Sequence, residues 1–208
     1  MAIALTALGV LGQARAARHA DAHHATPSAA SGSEDESLGN PKAKVTVIEY
    51  ASVACPVCGR WYREVFPAFK AKYIDSGKVR LITREMLVGD DAEVAIASTG
   101  FLLARCAGPG NYFKVTDAIY RNQAQVYEHP RESFLGIAKS VGLSEAKFDA
   151  CVSDQAAQAA LNARVETYTE HYFIQSTPTF VVNGKAMEAG YHTLAELDAA
   201  IAASPGGR

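Results

Sequence analysis

No stretch of the 208-residue sequence is apolar for long enough to cross a bilayer as a helix, which argues against an integral membrane protein. No basic stripe appears either. The formal net charge is -2, whereas a nucleic-acid binder usually carries a positive footprint, so no nucleic-acid partner is expected. No internal repeat is visible. Cysteine is sparse, with four residues, and only one pair is close in sequence, Cys55 and Cys58. A paired-cysteine zinc site needs two further ligands, usually a second paired motif, and the sequence offers none, so no metal is expected. What remains is ordinary for a globular protein with a real core: 49% hydrophobic and 20% charged residues. The length suits one domain, or a core domain carrying an insertion.

The first residues resemble a secretory signal. Ala2 to Leu11 is short and apolar, and the small residues around Ala14-Arg15-Ala16 up to Ala20 offer a cleavage region. The usual leading Lys or Arg is missing, and the competing description is a disordered, Ala-rich start. Removing residues 1–20 would take Arg15 and Arg18 and no acid, leaving the remainder more acidic. Residues 21–40 are rich in Ala, Ser, Gly and acids without a period, which predicts a disordered linker. His23 and His24 lie inside it as solvated residues.

Ordered structure is expected from Pro41. Val45 to Tyr50 is β-branched and nearly continuous in apolar character, as in a strand buried on both faces. A helical pattern follows Cys55 to about Tyr73, with Trp61, Val65, Phe66 and Phe69 on its apolar face and Pro67 expected to kink it. Val79 to Arg84 reads as a second strand. Residues 91–173 read as helices over 91–107, 111–122, 131–141, 144–153 and 154–173, with Ser144 a plausible N-cap. Thr179 to Val182 then leads through Asn183-Gly184, a strong hairpin turn, into a return strand at Lys185 to Met187. Thr193 can cap a last helix near 194–202. The expected fold class is α/β, with residues 41–90 and 174–203 forming the core and 91–173 a helical insertion.

Cys55-Pro56-Val57-Cys58 falls after a strand and at the start of a helix. The unpaired N–H groups and dipole there favour a thiolate on the first cysteine. A thiolate is the reactive species in disulfide exchange and a good leaving group. Pro56 suits the first turn. As a static staple the pair would close almost no loop, so redox chemistry is the stronger reading. Glu49 sits six residues earlier, on the strand face of Val45 and Val47. An acid there is costly without a task, so it is a candidate proton acceptor near Cys58; the competing description is a strand-end Glu that reaches solvent. Pro178, entering a strand in Ser176-Thr177-Pro178-Thr179, is either an ordinary trans proline or a cis proline that lets Thr177 pair with an extended substrate. Cys106 and Cys151, 45 residues apart, are either separate buried thiols or a bridge worth about 4 kcal/mol by loop entropy. His129, His171 and His192 read as surface or capping residues. Tyr168, Tyr172 and Phe173 read as core.

Taken together, the strand running into CPVC, Pro67, the helical insertion, Thr177-Pro178 before a hairpin, and Gly190 resemble the DsbA-type thiol:disulfide oxidoreductases over about residues 41–203. The resemblance implies a thioredoxin fold and no cofactor beyond the redox-active Cys55–Cys58 disulfide. It makes Cys55 the exposed nucleophile, Cys58 the buried resolving cysteine, Glu49 the buried acid and Pro178 the cis proline. Thr177, Pro178, Pro56 and Val57 would face substrate, and Cys106–Cys151 would be the second, non-catalytic bridge of the alphaproteobacterial type. Two departures matter. Val57 stands where strong oxidants of the family typically carry His, and Thr177 where they carry Val, as in the isomerase branch. The resemblance also implies a periplasmic protein acting on unfolded or reduced exported proteins. Isomerases of this kind usually carry a dimerisation domain, for which residues 21–40 are too short and too polar, so a monomer is expected. Its redox partner would be a DsbB-type membrane protein, or a DsbD-type one for an isomerase. A redox-silent peptide-holding chaperone is the reading from another class.

Overall fold

The computed structural model describes Met1 and residues 35–207. The expected signal at 1–20, Met1 apart, and residues 21–34 of the expected linker lie outside the described residues.

The sheet is built on two parallel neighbours. β2 (Val45–Ala51) and β3 (Val79–Glu85) pair from Val45 opposite Val79 to Ala51 opposite Glu85. β4 (Thr179–Val182) adds antiparallel to β2, with Phe180 opposite Glu49, and β5 (Lys185–Ala186) adds antiparallel to β4. Asn183 and Gly184 join these two strands, both with positive φ, as a two-residue turn of this hand requires. The other edge is β1 (Glu36–Gly39), antiparallel to β3, giving the order β1-β3-β2-β4-β5.

β1 corrects the sequence reading, which placed these residues in the linker. Its composition is polar, and long-range partners hold it. Asp35, just before the strand, bonds Arg84 through both carboxylate oxygens at 3.2 and 3.0 Å, and Ser37 accepts from Arg80 at 2.9 Å.

The sheet is covered on both faces, which is why β2 reads as continuously apolar. Val45, Val47 and Ala51 pack with Trp61, Phe69, Phe101, Ile119 and Phe180; Ile48 and Tyr50 pack on the opposite face with Ile82, Tyr168, Ile174 and Val181. Glu49, by alternation, belongs to the first face. On that face lie α1 (Pro56–Glu64), α2 (Phe66–Phe69) and a π-helical turn at Lys70–Ile74. The expected kink is found just before Pro67, at Val65.

The insertion contains α3 (Asp91–Cys106), α4 (Tyr112–Arg121), α5 (Gln123–Glu128), α6 (Pro130–Ser140), α7 (Glu145–Val152) and α8 (Gln155–Glu166), ending in a π-helical turn at Thr167–His171. Asp90 and Glu93 form a reciprocal cap on α3, and Ser144 caps α7. α5 was not expected, since a six-residue helix has no room for a periodic pattern. Phe173, expected in the core, instead has positive φ and is 57% exposed. It follows the π-helical turn, where the chain leaves the helix. Thr193 and Glu196 form the cap of α9 (Leu194–Ala203).

Candidate active site

Three segments meet at one end of the sheet: the β2–α1 loop, the loop entering β4, and α5 from the insertion. The first supplies the thiols. Cys55 is the N-cap residue of α1, and its sulfur accepts from the Cys58 N–H at 3.4 Å. The Cys55 thiol points at the Thr177 carbonyl oxygen, 3.4 Å away. Cys55 is half-buried, Pro56 and Val57 are exposed, and Cys58 is buried.

These positions separate the two thiols electrostatically. The Cys55 thiol is pulled down from 9.0 to about 6, first because the Cys58 side chain donates a hydrogen bond to it, against the opposing effect of partial burial. The Thr177 side chain and the N–H groups of Val57 and Cys58 add to the lowering. The Thr177 hydroxyl is buried without a well-formed hydrogen bond, so its dipole can turn toward the sulfur. Cys58 moves the other way, well above its ordinary value. Burial is the main cause, followed by its hydrogen bond to Cys55 and the nearby charges of Cys55 and Glu49. One sulfur is therefore ionised at neutral pH while its neighbour keeps its proton.

The peptide between Thr177 and Pro178 is cis, and the Pro178 carbonyl accepts from Gly190 at 2.8 Å. Thr177 thus lies beside Cys55. Glu49 is fully buried beneath the thiols. Its Oε2 accepts from the Tyr62 hydroxyl at 2.9 Å, and its Oε1 has no hydrogen-bond partner. Burial outweighs that one bond and pushes the carboxyl up from 4.5 to about 8. It does not reach solvent.

α5 supplies residues that the sequence reading missed. Gln123 Nε2 donates to the carbonyls of Val53 and Cys55 at 2.9 and 3.0 Å, and the Tyr127 hydroxyl donates to Ala54 at 2.8 Å. Three consecutive carbonyls of the loop are therefore held by the insertion, which fixes the path of the chain into α1. Gln123 also accepts from Arg63 at 3.3 Å and sits so close to Gly59 that a Cβ there would overlap its amide oxygen. The available signal was the i, i+4 spacing of a Gln and a Tyr, which puts both on one helical face.

Cys106 and Cys151 are disulfide-bonded, joining the end of α3 to α7 with Cα atoms 5.8 Å apart. The bond lies within the insertion, apart from the three segments of the site. Among the described residues no group of three or more His, Cys, Asp or Glu could hold a metal ion, and no helix is long and apolar enough to cross a membrane.

A family model described as thioredoxin matches residues 32–203, nearly the whole described chain. The chain is a DsbA-like member of the thioredoxin family. A Rickettsia bellii protein named as a protein-disulfide oxidoreductase is 34% identical over 158 residues, covering 74% of this chain and 59% of that protein. The chain therefore spans about three-fifths of that relative's length. Among solved structures, Wolbachia pipientis alpha-DsbA1 superposes with a TM-score of 0.70 at 27% identity, over 80% of this chain and 88% of that one. A protein-disulfide isomerase from Novosphingobium aromaticivorans shares the fold, with a TM-score of 0.66 at 24% identity over 81% and 96% of the two chains. This DsbA-like chain carries a helical block between its third strand and the strand after the cis proline.

Proposed function

We propose that the chain is a thiol:disulfide oxidoreductase that introduces disulfides into exported proteins through Cys55 and Cys58. The observation that carries this reading is the Cys55 sulfur, held at the start of α1 by the Cys58 N–H and lowered to about 6 while Cys58 is raised. In the oxidised enzyme a substrate thiolate attacks Cys55 Sγ. The Cys55–Cys58 bond breaks, a Cys55–substrate disulfide forms, and Cys58 leaves as a thiolate that takes a proton from Glu49. The substrate's second thiolate then attacks its own sulfur in the mixed disulfide. Cys55 departs as a stabilised thiolate. The substrate has lost two electrons and the enzyme has gained them. A thiolate that leaves readily favours the reduced enzyme, which is what an oxidant of substrates needs.

Pro56 and Val57 are exposed beside Cys55, and Thr177 borders it, which suits the docking of an extended, unfolded segment. The working cycle would be completed by a DsbB-type membrane partner in the periplasm, with the chain acting as a monomer. One observation favours a second reading, isomerase or reductase with a DsbD-type partner: the uncharged Val57 contributes no cation to the thiolate. The equilibrium potential of the Cys55–Cys58 pair against glutathione separates the two. An oxidase requires a value well above that of thioredoxin, about -270 mV; a value at or below it defeats the oxidase reading. Cys55→Ser should abolish substrate oxidation. Unchanged oxidation in that variant would overturn the assignment of Cys55, whereas a parent protein that oxidises nothing would leave the chaperone reading standing.

A further inference from the structure

Glu49 is served by one donor. The titratable groups that face it among the described residues are Cys55 and Cys58 at the start of α1, Tyr62 one turn further along α1, and Tyr120 from α4. Its register partners in the sheet, Thr83 on β3 and Phe180 on β4, carry no charge. Tyr62 is fixed on three sides. Its ring stacks on Tyr120 with centroids 4.0 Å apart, meets Phe66 at 4.7 Å and stands edge-on to Trp61 at 5.2 Å. A ring so confined fixes where its hydroxyl points, and that point is Glu49 Oε2, 2.9 Å away. The second carboxyl oxygen, Oε1, is buried with no partner, while the Thr83 hydroxyl, from the residue opposite Glu49 in the sheet, lies within reach of the Tyr62 oxygen.

We propose that Tyr62 is a positioning residue for thiol exchange: by holding Glu49 Oε2 it leaves Oε1 as the atom that exchanges a proton with Cys58. This rests on the oxidoreductase reading above. Cys58 lies near enough to Glu49 to feel its charge, and general acid–base catalysis asks for direct contact or one intervening water. When Cys58 attacks a mixed disulfide, its proton passes to Glu49. When Cys58 leaves, the proton returns. Tyr62 takes no proton itself; its hydrogen bond favours the carboxylate, so that burial does not keep Glu49 permanently protonated.

The reaction of the reduced protein with dithiobis-nitrobenzoate tests this in two separable phases. First the Cys55 thiolate attacks the reagent, releasing one nitrothiobenzoate and forming a mixed disulfide. Then Cys58 gives its proton to Glu49 and attacks Cys55 Sγ, forming the Cys55–Cys58 disulfide and releasing the second nitrothiobenzoate. In Tyr62→Phe the first phase should keep its rate. The second should slow about tenfold at pH 7, with the midpoint of its pH profile raised by about one unit, the size expected for losing one hydrogen bond to a charged group. In a Glu49→Gln background, Tyr62→Phe should add no further slowing. An unchanged second phase, equal slowing of both phases, or additive slowing in the Gln background overturns the proposal. Absence of both phases in the unaltered protein defeats the oxidoreductase reading and carries this inference down with it.

Discussion

Two buried carboxylates on adjacent parallel strands show how one sheet face can serve opposite purposes. Glu49 on β2 and Glu85 on β3 are both fully buried, and both face α1 and the insertion. Glu85 is surrounded by donors. Arg105 Nε reaches it at 2.7 Å, Arg164 at 3.1 and 2.7 Å through two nitrogens, and the Tyr112 hydroxyl at 3.2 Å. Those donors come from α3, α8 and α4, so the charge ties the insertion to the thioredoxin core. Glu49 has the Tyr62 hydroxyl alone, and its carboxyl is raised to about 8. A buried charge met by several donors is an anchor whose loss is costly. One met by a single donor changes its proton within the physiological range.

The comparison breaks most visibly at Glu85. Glu85→Ala removes the buried acceptor of Arg105 and Arg164 and should cost about 3 to 5 kcal/mol, read as a fall of roughly 10 °C in Tm. Reactivity of Cys55 toward alkylating agents should survive in the protein that remains folded, because the side chains bonded to Glu85 come from α3, α4 and α8, whereas the groups that touch Cys55 come from α1, α5 and the loop before β4.

Removing the charge at Glu49 should act in the opposite direction. Its value in the fold, about 8, exceeds its ordinary 4.5, so the fold prefers the protonated carboxyl. Stability from this group is therefore complete below pH 4.5 and is lost as pH rises toward 8. Glu49→Gln removes that loss. At pH 7 the variant should be more stable than the parent by about 3 kcal/mol. Urea unfolding from pH 4 to 9 should show the gap opening as pH rises, and a gap that is constant with pH would contradict it.

Tyr112→Phe is the matched control for Tyr62→Phe. It takes away one of several donors to Glu85 and should cost about 1 kcal/mol. The second nitrothiobenzoate phase should keep its parent rate and pH midpoint.

Most of the frame was legible from local signals. The Val45–Tyr50 run, the cysteine pair at a helix start, Asn183-Gly184 and the Thr193 cap each carry their meaning within a few residues, and the structure has β2, α1, the β4–β5 turn and α9 there. What stayed hidden depends on partners far along the chain. β1 is held by contacts between residues 43 and 49 apart. Glu85, the last residue of a strand, looked unexceptional in sequence because its arginines lie 20 and 79 residues away. Gln123 and Tyr127 act on a loop about 70 residues earlier, from a helix too short to announce itself. Glu49 stood out for the opposite reason: an acid in an apolar strand is conspicuous, and its one donor is only 13 residues distant.

The central claim is that the fold ionises one sulfur and protonates its neighbour. The most direct measurement is the alkylation rate of Cys55 in the reduced protein as a function of pH, with the labelled residue identified by peptide mapping. The rate should rise through a midpoint at about 6, with Cys55 labelled and Cys58 spared. A midpoint near 9.0, the ordinary value for a thiol, or equal labelling of both residues, would contradict the account.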